Sequence, residues 1–115
     1  GPNYAADHVA AAEEILYDAE VPASIMIDCS HANSGKDPQR QPAVMEDVLN
    51  QVSKGSASIH SVMIESHLNA GSQSFPRPLE DLEYGVSITD GCIDWSSTET
   101  LLRRTAEVID KARFS

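Results

Sequence analysis

Three short apolar runs in this chain each end on a side chain able to bind a metal ion. Ile25-Met26-Ile27 leads into Asp28-Cys29-Ser30-His31, Val62-Met63-Ile64 into Glu65-Ser66-His67, and Val86-Ser87-Ile88-Thr89 into Asp90. One imidazole and two carboxylates form a donor set suited to a divalent Mn, Fe, Co or Zn ion. Such an imidazole binds in its neutral form, with its second nitrogen oriented by a hydrogen bond. Asp28 and Ser30 are the nearest candidates for that partner, unless strand alternation points them elsewhere. If the three runs are parallel strands, their ends share one rim of a sheet and His31, Glu65 and Asp90 can converge there.

Each residue also has a plainer reading. His31 can be a capped loop histidine, and Asp90-Gly91 is a common turn pair. Glu65 is harder to explain by structure alone, because a carboxylate at the end of an apolar strand needs a partner. Cys29 and Cys92 have neither zinc-ligand spacing nor a disulfide framework, and read as small core residues in a reducing cytoplasm. His8 and His60 have surface or packing roles, and Trp95 packs the approach to the last helix.

The elements that must position these residues follow from periodicity. Asn3 is a good N-cap for a helix over 4–19, with Val9, Ala12, Leu16 and Ala19 at helical spacing and Ile15 widening the stripe. Pro22 ends it, and 24–28 reads as a strand buried on both faces. A polar loop over 33–42 follows. Pro42 suits the first turn of a second helix carrying Val44, Met45, Val48, Leu49 and Val52, with Gly55 at its C-terminal end. Residues 61–65 form the next strand. From 67 to 85 no helical period is present, and a connection this long in a compact domain is functional or disordered. Residues 86–89 form a third strand. Ser96 with Glu99 resembles a capping box, and the final helix runs over 97–112 with Leu101, Leu102, Thr105, Val108, Ile109 and Ala112 inward. This alternation predicts an α/β fold with parallel strands.

The chain has 115 residues, enough for one modest domain, with 41% apolar residues. Its net charge is −10, from 18 acidic and 8 basic side chains, which argues against a nucleic-acid or anionic-membrane surface. No apolar run reaches membrane-spanning length. Lys36 and Arg40 are the only basic residues near a proposed strand end, unless Arg77 folds back from its loop, so phosphate cradles are scarce. Three strands are also few. They leave apolar edges unpaired, whereas a complete (β/α)8 barrel takes eight strands and about 250 residues. The chain reads as part of something larger.

The same residues carry a family resemblance. The stretch Ile25-Met26-Ile27-Asp28-Cys29-Ser30-His31-Ala32-Asn33-Ser34-Gly35-Lys36 resembles the late-barrel signature of class I DAHP synthases (3-deoxy-D-arabino-heptulosonate-7-phosphate synthase, or phospho-2-dehydro-3-deoxyheptonate aldolase). Val62 to Leu68, Gly71-Ser72-Gln73, Tyr84-Gly85, Ser87 to Ile93, Trp95, Pro2-Asn3-Tyr4 and His8-Val9 are similar too, in the family's order. The resemblance implies that residues 1–115 are the C-terminal part of a (β/α)8 TIM barrel, holding strands six to eight. It implies His31, Glu65 and Asp90 as metal ligands beside a Cys from an early strand not present here; neither Cys29 nor Cys92 sits in that Cys motif. The family's main phosphoenolpyruvate-binding Arg and Lys residues also lie upstream, in keeping with the shortage of basic residues.

The implied reaction condenses phosphoenolpyruvate with erythrose 4-phosphate and releases phosphate, the first step of the shikimate route to aromatic amino acids. It needs an electrophilic aldehyde, which a divalent cation provides as a Lewis acid. Lys36 would take part by contacting a substrate phosphate or by balancing the carboxylates. His67, two residues from Glu65, occupies a position the family does not use for metal and reads as structural. The expected whole protein is a cytoplasmic homo-oligomer, and this chain alone is expected to be inactive. Two other readings stay open: a self-associating α/β module whose strand edges pair across chains, and a metal-binding piece without catalysis.

Overall fold

The computed structural model describes residues 1–114. Helix α1 (Ala6–Asp18) precedes strand β1 (Ile25–Asp28), helix α2 (Gln41–Ser53), strand β2 (Ile59–Met63) and helix α3 (Trp95–Phe114). Short 3-10 turns occupy His31–Ser34, Pro38–Arg40 and Leu79–Asp81. Strands β1 and β2 pair in parallel, with Ile27 opposite Val62 and Asp28 opposite Met63, so both run out toward the same rim.

Strand alternation gives the sheet two unlike faces. Ile27 and Val62 point to the helices, where Ile27 joins Val9 and Val48. A second cluster joins Cys29, Val44, Met45, Leu49, Ile93 and Leu101. The other face carries Met26, 61% exposed, and Met63, 41% exposed. The expectation that the first strand is buried on both faces is therefore corrected: α1 and α2 cover one side only. Helix α1 is likewise less embedded than its stripe suggests, since Val9 is buried while Ile15 and Ala19 are exposed.

Three local expectations change. The third strand over 86–89 does not form among the described residues. Ser87 makes one parallel bridge to Ser72, and the chain pairs again at Cys92 with Gly71 and at Ile93 with Ser66. Asn3 does not cap α1; its backbone N–H donates to Asn33 Oδ1 at 2.7 Å, tying the start of the chain to the loop after β1. In α3 the capping acceptor is Asp94 rather than Ser96. Asp94 Oδ1 accepts from the Ser97 N–H at 2.8 Å, so the helix begins two residues early. Leu101 is buried as expected, whereas Leu102 and Ala112 face solvent. Pro42 does lie in the first turn of α2.

The 67–85 connection contains no α-helix, yet it is stitched in place. Asn69 N–H donates to Gly85 O at 2.8 Å, and the Gln73 amide bonds Glu83 N–H, Glu83 O and Val86 O at 2.8–2.9 Å. Gly85 has φ +77°, and a Cβ there would lie 2.8 Å from Asn69 Nδ2 and 3.0 Å from Leu68 Cβ. Gly85→Ala is expected to destabilise the protein by about 1–3 kcal/mol, from backbone strain and that collision. A urea midpoint equal to wild type would refute this. No helix among the described residues is long and apolar enough to cross a membrane.

Candidate metal centre

The rim formed by the ends of β1 and β2 and the turn before α3 brings His31, Glu65 and Asp90 together. One ligand atom from each lies within 4.8 Å of the others. His31 Nε2 is 3.6 Å from Glu65 Oε2 and 3.3 Å from Asp90 Oδ2. These three line a recess of about 40 Å³ together with Ser34, Lys36, Pro38 and Gly91. A wider cleft of about 720 Å³ opens between α2, β2 and α3, near Val52, Ile59 and Ile109. It lies at the start of β2, away from this rim. The metal-competent cluster, not the size of the opening, marks the candidate site.

Each ligand candidate is aimed by local structure. His31 has φ +53° and opens the 3-10 turn just past β1, where its side chain is half exposed. Its Nδ1 is 2.8 Å from Asp28 Oδ2 and 2.9 Å from Ser30 Oγ. A carboxylate only accepts, and the Ser30 hydroxyl is itself committed to Asp28, so in the neutral ring Nδ1 carries the hydrogen and the Nε2 lone pair is directed at Glu65 and Asp90. Asp28 and Ser30, the candidates for this orienting role, both fill it. Asp28 also accepts from the Ser30 N–H at 2.8 Å, and the Asn33 amide donates to its carbonyl at 2.8 Å. Glu65 follows β2 and is half-buried, and Asp90 is exposed beside Gly91.

The electrostatics follow from these contacts. Burial pushes the Asp28 pKa up, but hydrogen bonds from Ser30 and His31 outweigh it and hold the carboxyl below its ordinary range. The hydrogen bond to Asp28, with the charge of Glu65, raises the His31 pKa. Glu65 is itself raised, chiefly by burial, with His31 pulling the other way. Clustered acidic groups of this kind repel one another until a cation or a proton joins them.

The remaining candidates are placed as follows. Lys36 is exposed at φ +64° and lines the recess. Arg77 is exposed in the long connection and is not among the residues lining the recess. His67 is not in the cluster, and its Nδ1 accepts from the Leu68 N–H at 2.8 Å. His60 bonds Ser24 Oγ and Ala57 O, both at 2.9 Å. Cys29 and Cys92 are free and buried, and burial pushes the Cys29 thiol up to about 11. One residue escaped sequence reasoning entirely. Gln41, fully buried, bonds both backbone groups of Glu65.

Comparison with known proteins agrees with this architecture. Residues 1–103 match the DAHP synthetase I family. The chain is 49% identical over 102 residues to the Tyr-sensitive phospho-2-dehydro-3-deoxyheptonate aldolase of Enterobacter agglomerans, covering 89% of this chain and 48% of that protein. It is 48% identical over 116 residues to the tyrosine-inhibited enzyme of Schizosaccharomyces pombe, covering 98% of this chain and 31% of that one. The phospho-2-dehydro-3-deoxyheptonate aldolase structure from Francisella tularensis superposes with a TM-score of 0.92 at 39% identity, over the whole of this chain and 33% of that one. The chain thus spans between about a third and a half of the length of these relatives. On a match covering nine-tenths of its residues, this chain belongs to the DAHP synthetase I family.

Proposed function

We propose that residues 1–115 are the C-terminal part of a DAHP synthase, supplying strands six to eight of a (β/α)8 barrel and three ligands of its divalent metal. The observation that carries this reading is the meeting of His31, Glu65 and Asp90 at one rim, in a chain of this family. The donor set fits the ion: a neutral imidazole nitrogen with its lone pair free, and two carboxylates, borderline ligands suited to Mn, Fe, Co or Zn. The bare sheet face supports the barrel assignment, since Met26 and Met63 are the kind of side chains a barrel interior covers.

The whole protein would condense phosphoenolpyruvate with erythrose 4-phosphate and release phosphate. When bound, the divalent ion supplies Lewis-acid polarisation of the aldehyde. This chain's residues hold and orient. Asp28 keeps the His31 proton on Nδ1, so that Nε2 stays a ligand. Lys36, on the lip of the recess, meets a substrate phosphate or offsets the acidic ligands. No other Lys or Arg lines the recess among the described residues, so phosphate binding falls to the remainder of the barrel. The isolated 115-residue chain is therefore inactive. Phosphate release above the blank from the purified chain, given both substrates and Mn2+, would overturn this.

Metal uptake should depend on pH in a definite direction. Binding requires neutral His31, and its partners raise its pKa, so apparent affinity falls as pH drops through that raised value, by about tenfold per pH unit for one competing proton. Asp28→Asn removes the negative partner and lowers the His31 pKa, so the fall moves to lower pH. In the metal-free chain the sign is opposite. The raised pKa stabilises the fold below the ordinary histidine value, and that contribution is lost as pH rises through the raised one. Calorimetric titrations with Mn2+ across pH 5–8 read the first effect; a pH-independent affinity would contradict it.

The exposed methionines and the two unpaired sheet edges favour a second reading for the isolated chain: self-association through the uncovered face, with residual metal binding. Light scattering at high concentration separates the two, because a clean monomer argues against self-association.

A further inference from the structure

We infer that Gln41 is the positioning residue that sets the Glu65 carboxylate in the metal centre; the inference rests on the metal-site reading above. The β1–β2 ladder ends where Cys29 N–H donates to Met63 O at 2.8 Å. Two residues later Glu65 has left the ladder, and its N–H has no strand neighbour on that side. Gln41 takes the strand's place. Its Oε1 accepts from the Glu65 N–H at 2.8 Å, and its Nε2 donates to the Glu65 carbonyl at 2.9 Å. A primary amide offers one acceptor and a donor side by side, as a paired backbone residue does. The Ile93 N–H donates to the same carbonyl at 3.1 Å from the other side. The Glu65 backbone is thus gripped between the start of α2 and the turn leading to α3.

Gln41 is suited to this by its own anchoring. Its side chain is 0% exposed, and it opens α2 immediately before Pro42, at the end of the loop that begins at His31. One connection therefore carries the imidazole at one end and holds the Glu65 backbone from the other. A buried glutamine with no role would leave an unmet amide, whereas this one makes two bonds to a single residue 24 positions away.

The test is Gln41→Met, which keeps length and volume and removes both bonds. Co2+ titrations read by calorimetry and by visible d–d absorption should give about 10- to 100-fold weaker binding and an altered spectrum, with cooperative unfolding retained. A folded Gln41→Met with wild-type affinity and spectrum overturns the inference. If that variant does not fold, Gln41→Glu, which keeps the acceptor and loses the donor, must also bind Co2+ more weakly, and equal binding overturns it. In the wild-type chain the Glu65 amide should be protected from hydrogen exchange; free exchange removes the clamp. Wild-type binding that His31→Ala leaves unchanged sinks the metal reading and this inference together, whereas His31-dependent binding that Gln41→Met leaves unchanged sinks this inference alone.

Discussion

His31→Ala should reduce Mn2+ or Co2+ uptake by more than the roughly 10- to 100-fold that loss of an orienting partner costs. Two facts support so large an effect. His31 Nε2 is the central donor, within 3.6 Å of Glu65 and 3.3 Å of Asp90, so its loss leaves two carboxylates without the nitrogen that selects a borderline metal. Asp28 then also lacks its imidazole partner and adds an unbalanced negative charge. His67→Ala is the matched control. That ring sits two residues from Glu65 but bonds its own neighbour's N–H, and uptake should be unchanged. Calorimetry on the three proteins decides the matter, and equal uptake by wild type and His31→Ala would remove the imidazole from the site.

Ile93→Ala should cost about 2–5 kcal/mol, among the largest effects of any single apolar truncation in this chain. Ile93 is 1% exposed and packs in the cluster with Cys29, Met45 and Leu101. Its backbone also joins the site to the core, with its N–H donating to Glu65 O at 3.1 Å and its carbonyl accepting from the His67 N–H at 3.0 Å. A cavity there lets both β2's extension and the turn before α3 relax. The urea midpoint should fall with little change in slope. Ile93→Val, which removes one methyl group, should cost only about 0.5–1.5 kcal/mol. A truncation cost below that of the valine variant would mean that the site collapses freely and is not packed as described.

The approach of His31 to Glu65 is legible in the residue pattern itself, because two apolar runs ending in polar donors and joined by a helical crossover put their ends on one rim, whereas Asp90 reaches that rim from the turn before α3 and not from a strand end. Strand β1 and all three helices follow from periodicity, while β2 (Ile59–Met63) starts and ends two residues before the expected 61–65, which leaves Glu65 beyond the strand. The third strand failed because an apolar run alone does not supply a neighbour. Ser87 is buried and bridged to Ser72, while Ile88 is 46% exposed. Ser96 failed as a cap because Asp94, two residues earlier, offers a charged acceptor to the same first turn. Gln41 was invisible for a different reason. In a loop of Gln, Arg and Pro a glutamine looks like solvent-facing decoration, and only the backbone of a residue 24 positions later reveals its use. The one available cue was its place directly before Pro42, at a helix start where a polar side chain can turn inward.

The ties that fasten the long connection bear on how freely this part of the chain can be altered. Gln73 holds both Glu83 and Val86, and Asn69 holds Gly85, so the ring of contacts closes below the segment from Phe75 to Asp81. Foreign residues grafted into that apex would hang outside the closed ring, leaving the ladder toward Cys92 and the aspartate turn undisturbed. The apex is thus a natural port for an inserted tag or recognition peptide, separated from Glu65 and Asp90 by the hydrogen bonds of Asn69 and Gln73.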